Sequence, residues 1–438
     1  MSIELDKLVI YEMANNHQGS VDHGKKIIDS LGKITNETGI RSAVKFQFRE
    51  LDTFIRPDYR GRKDIKHVKR FEETRLTLED FKILFDYVRR NNMLVCVTPF
   101  DEPSVDLAVE MGVDILKVAS ASVSDWPLLE QIAKYKKPVV FSTGGAELVE
   151  IDRVYTFFSR RVSQLGLLHC VGIYPTMKPL LNLSMISRYQ SRYPDAVIGY
   201  SGHEAPYDID VATAAVSQGA RIMERHVGFE TEKIKLNAYS MNPKETSEWV
   251  SKIVAAWQML GDNKERSITD EERSSLLALS RGVFAKNKLA SKKELTPASV
   301  YYAFPAEDGQ LTSAFFGRMR SKVITTRSYN QDEPVFDMPE GYDSISQARD
   351  ILHEAIGIIR EAGIRLGQNY TVELSHHYGI ESFREVGATI FNIINREYCK
   401  KIIVMLPGQK HPIHRHMKKE ETFHILNGSM TVSLDDVS

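Results

Sequence analysis

The chain has 438 residues, 42% hydrophobic and 26% charged, with a formal net charge of −1 and three cysteines. That length exceeds one ordinary domain, and the balanced charge gives no electrostatic reason to expect nucleic acid or an anionic membrane as partner. The start, "MSIELDKLVIYEM", lacks the basic head and apolar core of a signal peptide, no apolar run nears the ~20 residues of a membrane helix, and Cys96, Cys170 and Cys399 form no disulfide framework, so a cytoplasmic protein is expected.

Short β-branched, apolar runs then alternate with helical stretches. In order they are "LVIYEMA" (8–14), "SAVKFQF" (42–48), "LVCVTPF" (94–100), "ILKVAS" (115–120), "PVVFSTG" (138–144), "LGLLHCV" (165–171), "VIGYSGH" (197–203) and "ARIMERHV" (220–227). Near-continuous apolar runs suit parallel strands covered on both faces. Between them, "LTLEDFKILFDYVRR" repeats Leu78, Phe81, Leu84, Phe85 and Val88 at helical spacing, with Thr77 and Asp80 placed as a capping box. "SVDLAVEMG" and "DVATAAVSQG" read as helices closed by Gly112 and Gly219. Eight such units in about 260 residues predict a TIM (β/α)8 barrel, with a doubly wound open sheet as the alternative.

Polar residues gather at the C-terminal ends of these runs: Glu12, Asn16 and His17; Lys45 and Gln47; Thr98; Lys117 and Ser120; Ser142 and Thr143; Tyr174; Ser201 and His203; Glu224 and His226. Barrel enzymes place their chemistry at that end. Two buried lysines with several hydroxyls suit a small, strongly anionic substrate bearing carboxylate and phosphate. His203 and His226, on adjacent strands, can share a divalent metal and leave positions open. Glu12 and Glu224 can serve as acid or base, or hold a water beside the metal. "KHVKR" (66–70), after the second strand, is either a solvated helix face or a segment that closes over an anion. The residues thus predict a metal-assisted reaction on a small phosphorylated acid and do not name the acid.

The motifs "EMANNHQGS", "AVKFQF", "VTPFDEPSV", "LKVASASVSDWPLL", "FSTGG", "LLHCVGIYPT", "VIGYSGH", "IMERHVGF" and "YSMNP" follow in order. Over the whole barrel this closely resembles the sialic acid synthase family, the nonulosonic acid synthases. The resemblance implies condensation of phosphoenolpyruvate with an N-acylated hexosamine, N-acetylmannosamine or a modified analogue, to give a nine-carbon sugar acid and phosphate. It implies that Lys45, Thr98, Lys117, Ser120, Ser142 and Ser201 cradle phosphoenolpyruvate. It further implies that His203 and His226 hold Mn2+ or Mg2+, that Glu12 and Glu224 are acids near the metal, that Tyr174 lines the sugar site, and that the protein is a homodimer. The alternatives are another phosphoenolpyruvate-dependent aldol sugar-acid synthase and a non-catalytic sugar-sensing protein.

Some positions depart from the pattern. Ser122 stands where these synthases carry an acidic residue, Gly172 where they carry asparagine, and Leu236–Asn237 where they carry a sugar-binding aspartate. These departures point to a modified or differently substituted amino sugar as acceptor.

Residues 1–265 are assigned to the barrel and 275–338 to a small β-rich domain resembling the antifreeze-like (SAF) domain of the same family. In that family the SAF domain caps the partner's site with an arginine before a proline. Here Phe304 precedes Pro305, and either the arginine is absent or Arg318 or Arg320 replaces it. Residues 341–438 are read as a helical linker, with Ala348, Ile351, Leu352, Ala355, Ile358 and Ile359 on one face and Gly363 as its stop, followed by an incomplete cupin-like segment. "GQKHPIHRHMKKEETFHILNG" fits the first cupin motif, so His414, His416 and Glu421 are candidate ligands of a second metal. "HHYG" (376–379) is read as surface. A full cupin needs further strands and another histidine, so either a portion of a larger protein or a tail that is only partly folded is expected.

Overall fold

A computed structural model describes residues 3–261, 266–318, 322–338, 344–412 and 421–433. Two compact units emerge, Met1–Glu265 and Arg266–Ser438.

In the first unit, eight parallel strands close in sequence order into a barrel. They are β1 (Leu8–Glu12), β2 (Arg41–Phe48), β3 (Leu94–Pro99), β4 (Ile115–Val118), β5 (Val139–Ser142), β6 (Leu165–Cys170), β7 (Val197–Gly202) and β8 (Ile222–His226). The expected TIM barrel is what the chain forms, and the open sheet is excluded because β1 pairs with both β2 and β8.

Alternation along each strand sorts the side chains. Outward residues such as Val9, Val44, Val97, Phe141 and Met223 pack with Ile27, Leu31, Leu84, Phe85, Trp249 and Ile253 of the surrounding helices. Inward residues Leu8, Ile10, Ala43, Cys96, Ile115, Val140, Leu168 and Ile222 form a second, enclosed cluster that plugs the barrel. Gly199 belongs to that inward set, and its lack of a side chain is required. A Cβ there would stand 2.3 Å from the Ile222 carbonyl oxygen and 2.6 Å from Leu168 Cδ2.

The helices carry the local signals read above. Helix Leu78–Arg90 begins with a complete Thr77–Asp80 capping box. Gly112 and Gly219 take positive φ of 75° and 100° just beyond helices Glu102–Glu110 and Asp210–Ser217.

The second unit is built from small pieces. Strands β9 (Gly282–Ala285) and β10 (Val300–Ala303) pair antiparallel over Val283, Leu295, Leu311, Val323, Tyr329 and Val335. Helix Ser344–Glu361 buries Ile351, Ala355 and Ile359. Its partners are β11 (Thr371–Ser375), β12 (Ala388–Asn395) and β13 (Cys399–Val404), an antiparallel sheet contributing Phe391 and Val404. Of the cupin-like candidates, His414 and His416 lie outside the described residues, and Glu421 is exposed.

Candidate active site

Two residues beyond each inward apolar residue, the same alternation places another inward residue, nearer the C-terminal mouth. Ile10 leads to Glu12, Ala43 to Lys45, Cys96 to Thr98, Ile115 to Lys117, Val140 to Ser142, Leu168 to Cys170, Gly199 to Ser201 and Ile222 to Glu224. One layer of the barrel is therefore polar, and it rests directly on the apolar plug. Of these eight, the sequence reading overlooked Cys170, although its parity with Leu168 marks it.

The layer is knitted by charge. Lys45 Nζ lies 2.6 Å from Glu12 Oε2 and 2.8 Å from Glu224 Oε2. Lys117 Nζ lies 4.0 Å from Glu224 Oε1 and donates to Ser142 Oγ at 2.6 Å and to the Val118 carbonyl at 3.0 Å. Ser201 Oγ donates to Glu224 Oε1 at 2.7 Å, and the Ala14 N–H donates to Glu12 Oε1 at 2.7 Å.

Burial alone would raise the Glu224 carboxyl, but Lys117 and Lys45 outweigh it and hold its pKa at about 2. Burial would likewise depress Lys45, yet Glu12 and Glu224 more than compensate and hold it above the ordinary lysine value. Lys117 goes the other way. Burial lowers its pKa, Glu224 only partly offsets that, and Lys45 repels it.

Ser120 sits in a turn just past β4, accepts the Gly144 N–H at 3.0 Å and lies 3.5 Å from Cys170 Sγ. Gly144 has no room for a Cβ, which would come within 2.8 Å of Ser120 Oγ. Thr98 Oγ1 is buried with no hydrogen-bond partner among the described residues, a free hydroxyl within the layer.

Above the layer, His203 follows β7 and His226 ends β8, with ring centroids 5.5 Å apart. The His203 Nδ1 faces the Val171 carbonyl at 3.1 Å, so Nδ1 carries the proton and Nε2 keeps its lone pair. Burial holds both imidazoles neutral, with pKa values of about 3; His226 adds to the effect on His203, and Lys45 to that on His226. Two buried, neutral imidazoles are a fitting donor pair for a divalent ion. Among the described residues no cluster of three or more His, Cys, Asp or Glu is shaped to hold a metal, so further positions would fall to water and substrate.

Tyr174, in the loop after β6, is 51% exposed and lies tilted against the His203 ring, with centroids 4.0 Å apart. Tyr239 completes an aromatic rim, 5.0 Å from His226 and 5.2 Å from Tyr174. The sequence reading did not single it out, though it opens the "YSMNP" motif. The departing positions lie at the rim as well. Ser122 is buried in the turn after β4, and Gly172 would meet nothing within 4 Å if it carried a Cβ. Leu236 packs over Gly228, while Asn237 Oδ1 accepts the Tyr239 N–H at 3.1 Å.

Comparison with known proteins agrees with this architecture. The chain is 30% identical to the N-acetylneuraminate-9-phosphate synthase of Mus musculus, over 77% of this chain and 93% of that protein. It is 27% identical to the N,N'-diacetyllegionaminic acid synthase of Campylobacter jejuni, over 74% of this chain and 98% of that one. A crystal structure from Chromobacterium violaceum, carried under the name spore coat polysaccharide biosynthesis protein E, matches with a TM-score of 0.72 and 41% identity, covering 75% of this chain and 98% of that one. The NeuB family matches residues 34–265, which take in β2 to β8. The chain belongs to the NeuB family.

Proposed function

We propose that this protein is a nonulosonic acid synthase that joins phosphoenolpyruvate to an N-acylated hexosamine and water, releasing phosphate and a nine-carbon sugar acid. The observation that carries the reading is the buried Lys45–Glu12–Glu224–Lys117 lattice beneath the His203–His226 pair. Synthases of this product class among the relatives support it.

In this reading Lys45 and Lys117 hold the anionic phosphoenolpyruvate, with Thr98, Ser120, Ser142 and Ser201 supplying hydroxyls. C3 of phosphoenolpyruvate attacks the aldehyde carbon of the open sugar, and positive charge develops at C2. Water adds at C2, and the tetrahedral intermediate expels phosphate by C–O cleavage. The two ammonium groups stand in place before charge moves, which is where preorganised electrostatics lowers a barrier most. Glu12 and Glu224 are placed to keep Lys45 charged and to exchange a proton with sugar or water, and Glu224 also faces Lys117. His203 and His226 would hold Mn2+ or Mg2+, which when bound supplies Lewis acidity toward the aldehyde. Tyr174 and Tyr239 form an aromatic wall for the acceptor.

The test is phosphate release from phosphoenolpyruvate with a panel of hexosamines and pentoses, with and without Mn2+. Release that needs both a hexosamine and the metal is expected. No release with any sugar would sink the proposal, and release with arabinose 5-phosphate alone would move it to another aldol synthase. Sedimentation of the purified chain tests the accompanying expectation of a homodimer.

A further inference from the structure

The inward face of β2 continues past Lys45 to Gln47 and, just beyond the strand, to Arg49, whose Nη2 donates to Gln47 Oε1 at 3.0 Å. Four residues of extended chain put Arg49 ~13 Å farther toward the mouth than Lys45. The guanidinium still feels the Glu12 carboxylate that Lys45 holds, but it belongs to the aromatic wall beside β2 and not to the polar layer of Lys45 and Lys117.

Its surroundings are unusual for a cation. The guanidinium carbon lies 3.6 Å from the centre of the Phe100 ring and 4.1 Å from that of Phe71, with Phe54 at 5.8 Å. Aromatic walls fix the plane of a guanidinium but bring no counter-charge. Arg49 has no ion-pair partner among the described residues, and its buried Nε has no hydrogen-bond partner. Two acids, Glu12 and Asp101, favour the charged guanidinium through space, but neither pairs with it. Glu12 pairs with Lys45, and Asp101 accepts the Ser104 N–H and the Glu50 N–H, each at 2.9 Å. Burial lowers the Arg49 pKa to about 10, so it is still charged at neutral pH.

A second guanidinium joins it. Arg70, beside Phe71 on helix Lys66–Glu73, also has no ion-pair partner among the described residues, and its charge reaches Arg49, His17 and His226. Burying or crowding cations without a counter-ion is unfavourable, and an incoming anion would relieve it.

We propose that Arg49 and Arg70 form a subsite for an anionic substituent, a phosphate ester or a carboxylate, at the far end of the sugar acceptor. The pair is then specificity-determining and selects a charged acceptor over a neutral one. This rests on the synthase reading above, which places phosphoenolpyruvate at the lysines and leaves the β2 rim for the remainder of the sugar. The "KHVKR" segment is the carrier of the second arginine and closes this side of the mouth.

The test is steady-state phosphate release by the full chain with Mn2+, phosphoenolpyruvate and three acceptors: N-acetylmannosamine, its 6-phosphate and its uronate. The wild type should favour one charged acceptor in kcat/KM, and which one identifies the substituent. Arg49→Gln and Arg70→Gln should each lower the charged-to-neutral ratio of kcat/KM by roughly ten- to hundredfold, chiefly through acceptor KM, with Arg49→Lys partly restoring it. A wild type that prefers the neutral acceptor overturns the proposal. So does an Arg49→Gln variant that loses all three activities equally with a lowered Tm, which would make Arg49 a structural clip. If no acceptor of this set or of the wider sugar panel turns over, the synthase reading falls, and calorimetric titration with N-acetylmannosamine 6-phosphate and with N-acetylmannosaminuronate decides the subsite alone. Binding that weakens in Arg49→Gln supports it, and absence of binding to the wild type overturns it.

Discussion

Arg225 and Glu204 form an ion pair sealed from solvent, with Nη1 and Oε1 3.2 Å apart and side chains 0% and 1% exposed. Those two atoms meet as charges and not as an aligned hydrogen bond. Alignment comes from elsewhere: Arg225 Nη2 donates to the Glu204 carbonyl at 2.6 Å, and the Tyr200 hydroxyl donates to Glu204 Oε2 at 2.8 Å. Glu204 follows His203 and Arg225 precedes His226, so the pair braces both imidazole-bearing positions from outside the barrel. Glu204→Gln leaves a buried guanidinium without its counter-charge. The expected loss is about 3–5 kcal/mol of stability, read from urea unfolding, together with weaker Mn2+ binding in a metal titration.

Lys45 is the hinge of the charge lattice. Lys45→Met would strip Glu12 of its cation and set it against Glu224, which Lys117 still holds ionised, in a dry layer where a second like charge is disfavoured. One carboxyl then has a folded-state pKa above its unfolded value, so the variant binds an extra proton when folded. Its stability should therefore rise as pH falls from ~8 to ~6. On the synthase reading, turnover should also drop by roughly 100- to 1000-fold, because a preorganised charge is lost. Thermal melts across pH and the phosphate-release assay measure the two effects.

A separate acid sensitivity comes from His17. It is buried, its Nδ1 accepts the Gly19 N–H at 3.1 Å, and burial, aided by His23 and Arg70, holds its pKa at about 4. The ring is neutral in the fold, while the unfolded chain protonates it near 6.5. Stability is therefore unaffected above that value and declines as pH falls from 6.5 toward 4. The loss through this group reaches at most about 3 kcal/mol. His17→Asn should flatten that part of the Tm-against-pH curve relative to the wild type.

Packing beneath the site can be tested without touching a polar residue. Gly199→Ala inserts a methyl group against the Ile222 carbonyl and Leu168, below Ser201 and Glu224. Overpacking of this kind costs about 1–3 kcal/mol. Differential scanning calorimetry should show the lowered Tm, and on the synthase reading phosphoenolpyruvate KM should rise as β7 and β8 part.

Much of the barrel was legible because its strands are buried on both faces and their apolar runs announce themselves. The run "LGLLHCV" became β6 over Leu165–Cys170, and "VIGYSGH" became β7 over Val197–Gly202. Polar residues in such runs are conspicuous, which is why Lys45, Lys117 and Glu224 stood out. Cys170 did not, because a cysteine in an apolar run looks like core. The Arg49–Phe71–Phe100 cage depends on contacts across 22 to 51 residues of chain, and nothing local signals it. Arg225 carries charge on the outward parity of β8, where composition alone would have placed it in the site. Around the β9–β10 pair several segments join only through isolated bridges such as Leu289–Tyr329 and Glu294–Ile324, and such segments lack a period to read.

The two stacked inward layers divide labour by height. Ile10, Ala43, Ile115, Val140, Leu168 and Ile222 carry cohesion, and the position two residues along each strand carries the candidate site. An exchange in the upper layer therefore alters the reagents while leaving the foundation undisturbed. Each strand offers one such replaceable tooth, and the rim above offers more, at Arg49, Ser122, Gly172 and Leu236. On the synthase reading, the acceptor can be re-specified one strand at a time while the packed layer beneath keeps its shape.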